Sequence, residues 1–394
     1  MRSFRNNGDY DAIVVGARVA GAATAMLMAR RGMRVALVDR GRRGSDTLST
    51  HALMRGGVIQ LHRWGLLDRV QEAGTPPIAT TTVHYGDVAE TIELEPRDGV
   101  PALFAPKRTV LDPILVDAAA AAGAEVRFGV AVEDLLADGR GGVGGVAART
   151  RGGRRVELRA PLTIGADGIR STVARLSGAP VTRQGRGAAA FLYSYWSGVE
   201  QRGYEWFYRP GCGAGLIPTN DGEVLAWVCL PAADFSAEAR RSLDATFHRT
   251  LAVAAPEAVG RIAGAQRTGR FRGFPGIAGY FRRPWGPGWA LVGDASHFKD
   301  PFSVHGITDA LRDAEILARA AVGIRRGAPA GETLESYRRT RDELSVRLFD
   351  VVEELVSFRW RVDDLRPLLI AFSKAMAPEI EYLGTLDEPA VTAA

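Results

Sequence analysis

The chain has 394 residues, 46% apolar and 8% aromatic, a composition of folded protein with more than one core. Its formal charge of +5 contains no basic run: three lysines (Lys107, Lys299, Lys374) stand among scattered arginines, the texture of a GC-rich genome, so nucleic-acid binding is not expected. Two cysteines, Cys212 and Cys229, are too few for a disulfide framework or a zinc site. No long apolar run predicts a membrane span, and MRSFRNNGDYDAIVV lacks an apolar signal region, so a bacterial cytoplasmic protein is expected.

In chain order, a strand over 11–15, a helix over 20–31 and a strand over 33–39 predict a βαβ unit. Their near-continuous apolar strands suit a buried parallel sheet. A helix over 52–73 follows on the stripe Leu53, Ile59, Leu61, Trp64 and Leu67. Alternation over 76–96 predicts a strand pair, 111–122 a helix, and 125–130 and 162–166 strands. Glycine-rich stretches after 139 and 151 predict hairpin tips. From about 185 to 285 short alternating strands crowd with aromatics (FLYSYWSG, YEWFYRPG, EVLAWVCLP), and Tyr193, Tyr195, Trp196, Trp206, Tyr208 and Trp227 read as one face of a sheet. WALVGDA then returns to a buried strand and a tight turn, and a helical tail begins near 307.

The stretch VVGARVAGAATA sets Gly16 and Gly21 in a G-x-G-x-x-G frame whose middle glycine is Arg18. In a dinucleotide turn the first glycine allows the tight turn and the third the close packing of helix on strand. An acid about twenty residues on binds ribose, a place Asp39 fills. On these residues alone the stretch reads equally as a phosphate-binding turn or as an ordinary strand–turn–helix. Three further segments bear on it: TIGADGIRSTVAR (163–175) and ALVGDASHFKDPFSVHGITDALRDAEILA (290–318) each end a strand on a glycine–aspartate turn, and APKRTVLDPILVDAAAAAG (105–123) carries R-x-x-L-D-x-x-L.

In order and spacing these motifs resemble the group A FAD-dependent monooxygenases, the para-hydroxybenzoate-hydroxylase-like flavoproteins, over about 10–345. The resemblance implies an α/β fold: a Rossmann-like FAD domain (1–75, 105–180 and 286–330), an inserted mixed or antiparallel sheet domain for substrate (76–104 and 181–285), and a helical C-terminal region (331–394). It implies tightly bound, non-covalent FAD, NAD(P)H as a transient reductant, O2, and an apolar or aromatic small molecule that receives one oxygen atom, in bacterial secondary metabolism. Gly16, Arg18, Ala20 and Gly21 would surround the pyrophosphate. Asp39 and Arg40 would stand at the adenosine ribose and Val130 beside the adenine. Arg108 would reach the phosphates or ribityl chain. Asp167 and Gly168 would help hold FAD, Gly293 and Asp294 would take the ribityl chain, and Thr50 would lie on a loop alongside the flavin. Pro301, His305, Gly306 and Ile307 would face the ring, with the helix N-terminus at its N1–C2=O edge.

Where such proteins carry a glycine-rich loop, this chain reads Ser303-Val304-His305-Gly306. His305 either replaces a polar loop residue or adds acid–base chemistry. His51 is a candidate proton donor, or else a first-turn residue of a helix capped by Ser49 or Thr50. His305, His51 and Pro301 are therefore the candidate catalytic residues, and Tyr193, Tyr195, Trp206 and Trp227 the candidate substrate contacts. His297 reads as structural, and Lys299 as an ion-pair partner of Asp300. The alternatives are a double-bond reductase of the geranylgeranyl-reductase type, a flavin-dependent halogenase, disfavoured because no W-x-W-x-I-P segment occurs, and a flavoprotein without net redox change. The tail ESYRRTRDELSVRLFDVVEELVSFRW fits packing on the FAD domain or on a second subunit.

Overall fold

A computed structural model describes residues 10–387; the expectations placed on 1–9 and 388–394 lie outside the described residues. Strands Ala12–Val15, Val35–Asp39, Glu125–Phe128, Thr163–Gly165 and Trp289–Leu291 form a parallel sheet in the order 289–291, 163–165, 12–15, 35–39, 125–128, edged by the antiparallel Trp285–Gly286. Apolar runs such as Ala12–Val15 are wholly buried, as strands covered on both faces must be. The register sets Val15 against Gly165 and Gly165 against Leu291, so three central strands stop at one level. The loops 16–18, 166–168 and 292–294 therefore open side by side at the carboxyl edge, where parallel α/β sheets bind their ligands.

Helix Val19–Arg30 is alanine-rich and buried nearly all round. It packs between the sheet and the helices Arg108–Ala121 and Gly306–Arg325. The helix expected over 52–73 is two, Arg55–Arg63 and Leu67–Glu72, parted at Gly65. Gly65 takes φ +68°, and the Leu66 amide donates to Leu61 O at 2.8 Å, the bond that closes a helix end. An antiparallel meander, Val130–Ala137, Val143–Thr150 and Arg155–Arg159, builds a separate core with the sheet.

The second sheet has eight strands. Tyr204–Arg209 pairs in parallel with Thr80–Tyr85, and the remaining pairs are antiparallel. Side chains alternate strictly. Phe191, Tyr193, Tyr195, Trp206, Tyr208 and Trp227 join the core shared with the parallel-sheet helices, whereas Leu192, Trp196 and Phe207 pack outward beneath helix Leu243–Ala254. Trp196 is thus not part of the aromatic face read from the sequence. It follows Tyr195 directly, and period two turns it over, onto Phe247 at 5.0 Å. Helices Ala330–Leu355 and Val362–Gly384 complete the fold and pack on each other, the second also against Arg55–Arg63. Among the described residues no helix is long and apolar enough to cross a membrane.

Candidate active site

The opening turn is shaped by what cannot fit. Gly16 takes φ +105°, and a Cβ there would stand 2.4 Å from Ala166 O; one on Gly21 would stand 1.8 Å from Gly16 O. Arg18 explains its own tolerance: at φ −97°, ψ −166° it occupies extended backbone that needs no glycine. As N-cap it offers no side-chain bond, so Val19 and half-buried Ala20 begin a helix whose first amides have no side-chain cap. The Arg18 guanidinium lies 3.6 Å from Asp112, whose carboxylate already takes two bonds from Arg108, at 2.8 and 3.1 Å. Two cations therefore share one anion at the mouth of the cleft. Paired guanidinium groups at this position suit a pyrophosphate.

Asp39 lines the same cleft, with Arg42, Ser45, Asp112 and Phe128; Arg40 is exposed beside it. The Asp39 carboxylate accepts the Ala17 amide at 2.8 Å and the Gly41 amide at 2.6 Å, which fixes both turns that form the pocket. Val130 is buried at the start of the meander. Asp167 is occupied locally: it accepts Ser171 Oγ at 2.5 Å and the Thr172 amide at 2.6 Å, holding the start of the short helix Thr172–Leu176. Gly168 allows this turn at φ +77°.

Gly293, at φ +62°, abuts Ala20: a Cβ would come 2.8 Å from the alanine's methyl. Burial, with the Asp309 charge next, pushes the Asp294 carboxyl up to about 6. Between about pH 4 and 6 this group holds a proton in the fold that it has lost in the unfolded chain, so its penalty is absent near pH 4 and complete above about 6. Asp294→Asn is therefore expected to stabilise the flavin-free protein by about 1–3 kcal/mol at about pH 8 and not at about pH 4. Urea denaturation at the two values checks it; an equal gain at both contradicts it.

The loop 299–305 departs from expectation. Asp300 does not pair with Lys299. Its carboxylate accepts the Phe302 amide at 3.0 Å and the Ala189 amide at 2.8 Å, tying the loop to the first residue of an aromatic strand. Lys299 instead reaches Asp309 at 2.6 Å. Both moves follow from burial, since a buried lysine needs a carboxylate and Asp300 is committed to backbone. Pro301 is half-buried, Val304 stands at φ +51°, and His305 precedes helix Gly306–Arg325 without a side-chain cap. Gly306 is exposed and Ile307 half-buried, so the first amides of this helix open toward solvent. A Cβ on Gly306 would lie 4.0 Å from Asp294 Oδ1.

Behind the loop is a buried set of charges that sequence reasoning missed. Arg312 binds Asp313 at 2.7 Å, Asp309 at 3.0 Å and Glu379 at 2.8 Å, and His305 Nε2 lies 3.2 Å from both Glu379 oxygens. His297 joins through Asp313 at 3.4 Å. His305, Asp309 and Glu379 have the donor set of a metal site, but the Arg312 guanidinium already bridges the two carboxylates. The signal available was DALRDAE, four charges in an apolar helix. Glu379, in the last helix, carried none.

His51 lies in no helix; the helix behind it starts only at Arg55. It is buried at φ +66°, with Nε2 hydrogen-bonded to Tyr195 Oη at 2.5 Å. Burial, then the charges of Arg108, Lys107 and Arg272, bring its pKa down to about 3, so the imidazole is neutral at working pH. Thr50 beside it is half-buried, and the Ser49 amide donates to Tyr193 Oη at 3.2 Å. Tyr193 and Trp227 are cross-strand partners, and Trp206 lies 6.2 Å from Trp227 with its Nε1 donating to Thr81 at 2.8 Å. Tyr208 meets Phe302 of the loop at 5.5 Å. His51 Nδ1, His305 Nδ1 and Trp227 Nε1 are buried with no hydrogen-bond partner among the described residues.

Known proteins resemble this chain along most of its length. The family model described as FAD binding domain matches residues 9–352. Aklavinone 12-hydroxylase of Streptomyces peucetius is 28% identical, over 98% of this chain and 78% of that protein. A digeranylgeranylglycerophospholipid reductase of Methanothrix thermoacetophila is 26% identical over 95% of this chain and 94% of its own. A flavin-dependent brominase superposes with TM-score 0.79 at 18% identity, covering 97% and 96% of the two chains, a likeness of fold alone. The glycine cradle, the shared-cation cleft and the uncapped helix starts fit FAD. The chain belongs to the FAD-binding-domain family and is an FAD-dependent oxidoreductase.

Proposed function

We propose that this protein is a cytoplasmic monooxygenase using NAD(P)H and O2 on an apolar or aromatic small molecule. The observation that carries the reading is the aromatic face of the second sheet. It is buried against the cofactor segments and joined to them by Tyr208–Phe302, His51–Tyr195 and Ser49–Tyr193. The bound flavin would supply electron transfer to O2. The chain's own part is to bind, orient and keep water out. Gly16, Gly21 and Gly293 admit the cofactor's backbone neighbours, while Arg18 and Arg108 offset its phosphates. Asp39 and Asp294 would accept its hydroxyls, and the amides at Gly306 and Ile307 would favour negative charge on the ring. Tyr193, Tyr195, Trp206 and Trp227 would clasp the substrate. His51 stays neutral, and its bond to Tyr195 fixes the direction of the phenol hydroxyl on the aromatic face. His305 and Pro301 set the loop at the ring. A cytoplasmic setting agrees with two buried, unpaired cysteines.

The second reading is a double-bond reductase, favoured by the likeness to the archaeal enzyme along almost the whole of both chains. One experiment separates the two. The FAD-loaded protein is offered NADPH and a panel of polycyclic phenols, with isotopically labelled O2 and again under nitrogen. Label in a product formed only with O2 supports the monooxygenase. NADPH-dependent conversion of an unsaturated substrate under nitrogen overturns it in favour of the reductase.

A further inference from the structure

Val304 holds a conformation that a β-branched residue avoids, left-handed backbone at φ +51°. Its neighbours do part of the work: the Val304 amide donates to Pro301 O at 2.9 Å, and the His305 amide to Ser303 Oγ at 3.3 Å. The remaining constraint comes from far along the chain. His305 Nε2 is bonded to both oxygens of Glu379, at 3.2 Å each, and Glu379 belongs to the last helix, Val362–Gly384, beyond the segment that matches the FAD-binding family. That carboxylate is itself fixed. Arg312 Nη1 donates to it at 2.8 Å, and Gly56 leaves room for it, since a Cβ there would stand 2.2 Å from Oε1. Asp309, 4.0 Å from His305, is held by Lys299 and Arg312 on its other sides.

We propose that Glu379 is a positioning residue for the cofactor loop: by holding His305 it keeps residues 301–305 in the strained form that leaves the first amides of helix Gly306–Arg325 open, and so sets the affinity for FAD. The proposal rests on the reading that FAD occupies this loop. A left-handed valine relaxes to negative φ unless something over-determines it, and relaxation at 304 moves the two residues that start the helix. A pinned loop presents its donors already in place, which lowers the ordering cost of binding.

The test is a fluorescence titration of flavin-free protein with FAD. Glu379→Leu removes the pin, and His305→Leu removes it from the other side while leaving the Glu379–Arg312 pair intact, so a misfolded first variant does not end the test. Each is expected to weaken FAD binding about tenfold. Glu379→Gln, which keeps an acceptor for His305, stays close to the unaltered protein. The distinguishing step is Val304→Gly, because glycine takes positive φ without strain. Added to His305→Leu or Glu379→Leu, it is expected to restore most of the lost affinity, a coupling that general loss of packing would not produce. Undiminished affinity in both leucine variants, or losses that Val304→Gly leaves untouched, would overturn the proposal. An unaltered protein that binds no FAD at all would remove the flavin reading itself.

Discussion

Asp294→Ala is expected to purify without flavin. Asp294 follows strand Trp289–Leu291 at the level where three parallel strands end, with its carboxyl beside the start of helix Gly306–Arg325. A hydrogen bond to a charged group is worth about 1.5–3 kcal/mol, and alanine also leaves the facing hydroxyl of the cofactor without a partner, so affinity should fall about a hundredfold. The fold should survive. Burial already disfavours this carboxylate in the flavin-free protein, and removing it lowers a desolvation cost there. Flavin content per chain after purification, with a melting curve of the same sample, checks both halves. A yellow variant with unchanged flavin content would contradict the placement of Asp294 in the site.

The larger effect on folding is expected from Arg312→Met. Arg312 is 1% exposed at its side chain and neutralises Asp309, Asp313 and Glu379 while also donating to Ser345 Oγ at 2.8 Å. Burial lowers a guanidinium's pKa, but these three carboxylates outweigh it and raise Arg312 above its ordinary value. Methionine fills much of the volume and supplies no charge. It strands buried carboxylates with Lys299 as the remaining strong cation, at a cost of about 3–5 kcal/mol. The sign with pH follows. The stranded carboxyls have raised pKa values in the folded variant, so they bind protons on folding, and the deficit should shrink as the pH falls toward 5 or so. Denaturant titrations of both proteins at two pH values measure it. A variant as stable as the parent at neutral pH would show that the network carries no net stability.

Much of the fold was legible because it is written in local period and in glycine. Ala12–Val15 and the alanine-rich helix after it read directly as a buried βαβ unit, and the aromatic-crowded short strand FLYSYWSG predicted a sheet. The three glycine turns carried the family resemblance that implied FAD, and the register brings the strands they close to one level. Other features depend on contacts that no local pattern encodes. Lys299 adjoins Asp300 in sequence but pairs with Asp309, because the fold spends the Asp300 carboxylate on the amide of Ala189. His51 looked like a helix-start residue because Ser49 and Thr50 precede it. Its left-handed backbone and its bond to Tyr195, 144 residues away, are tertiary facts. Glu379 was invisible for the same reason: one acid in a helical tail gains meaning only from the Arg312 and His305 it touches.

The defining property expected of this chain is that its three strand ends together hold one FAD. The most direct measurement is the flavin content of the protein as purified, then after incubation with FAD and removal of the excess. About one tightly held FAD per chain, released on denaturation and so not covalently attached, is the predicted result. A polypeptide that stays colourless after that incubation, while folded by circular dichroism, would contradict it.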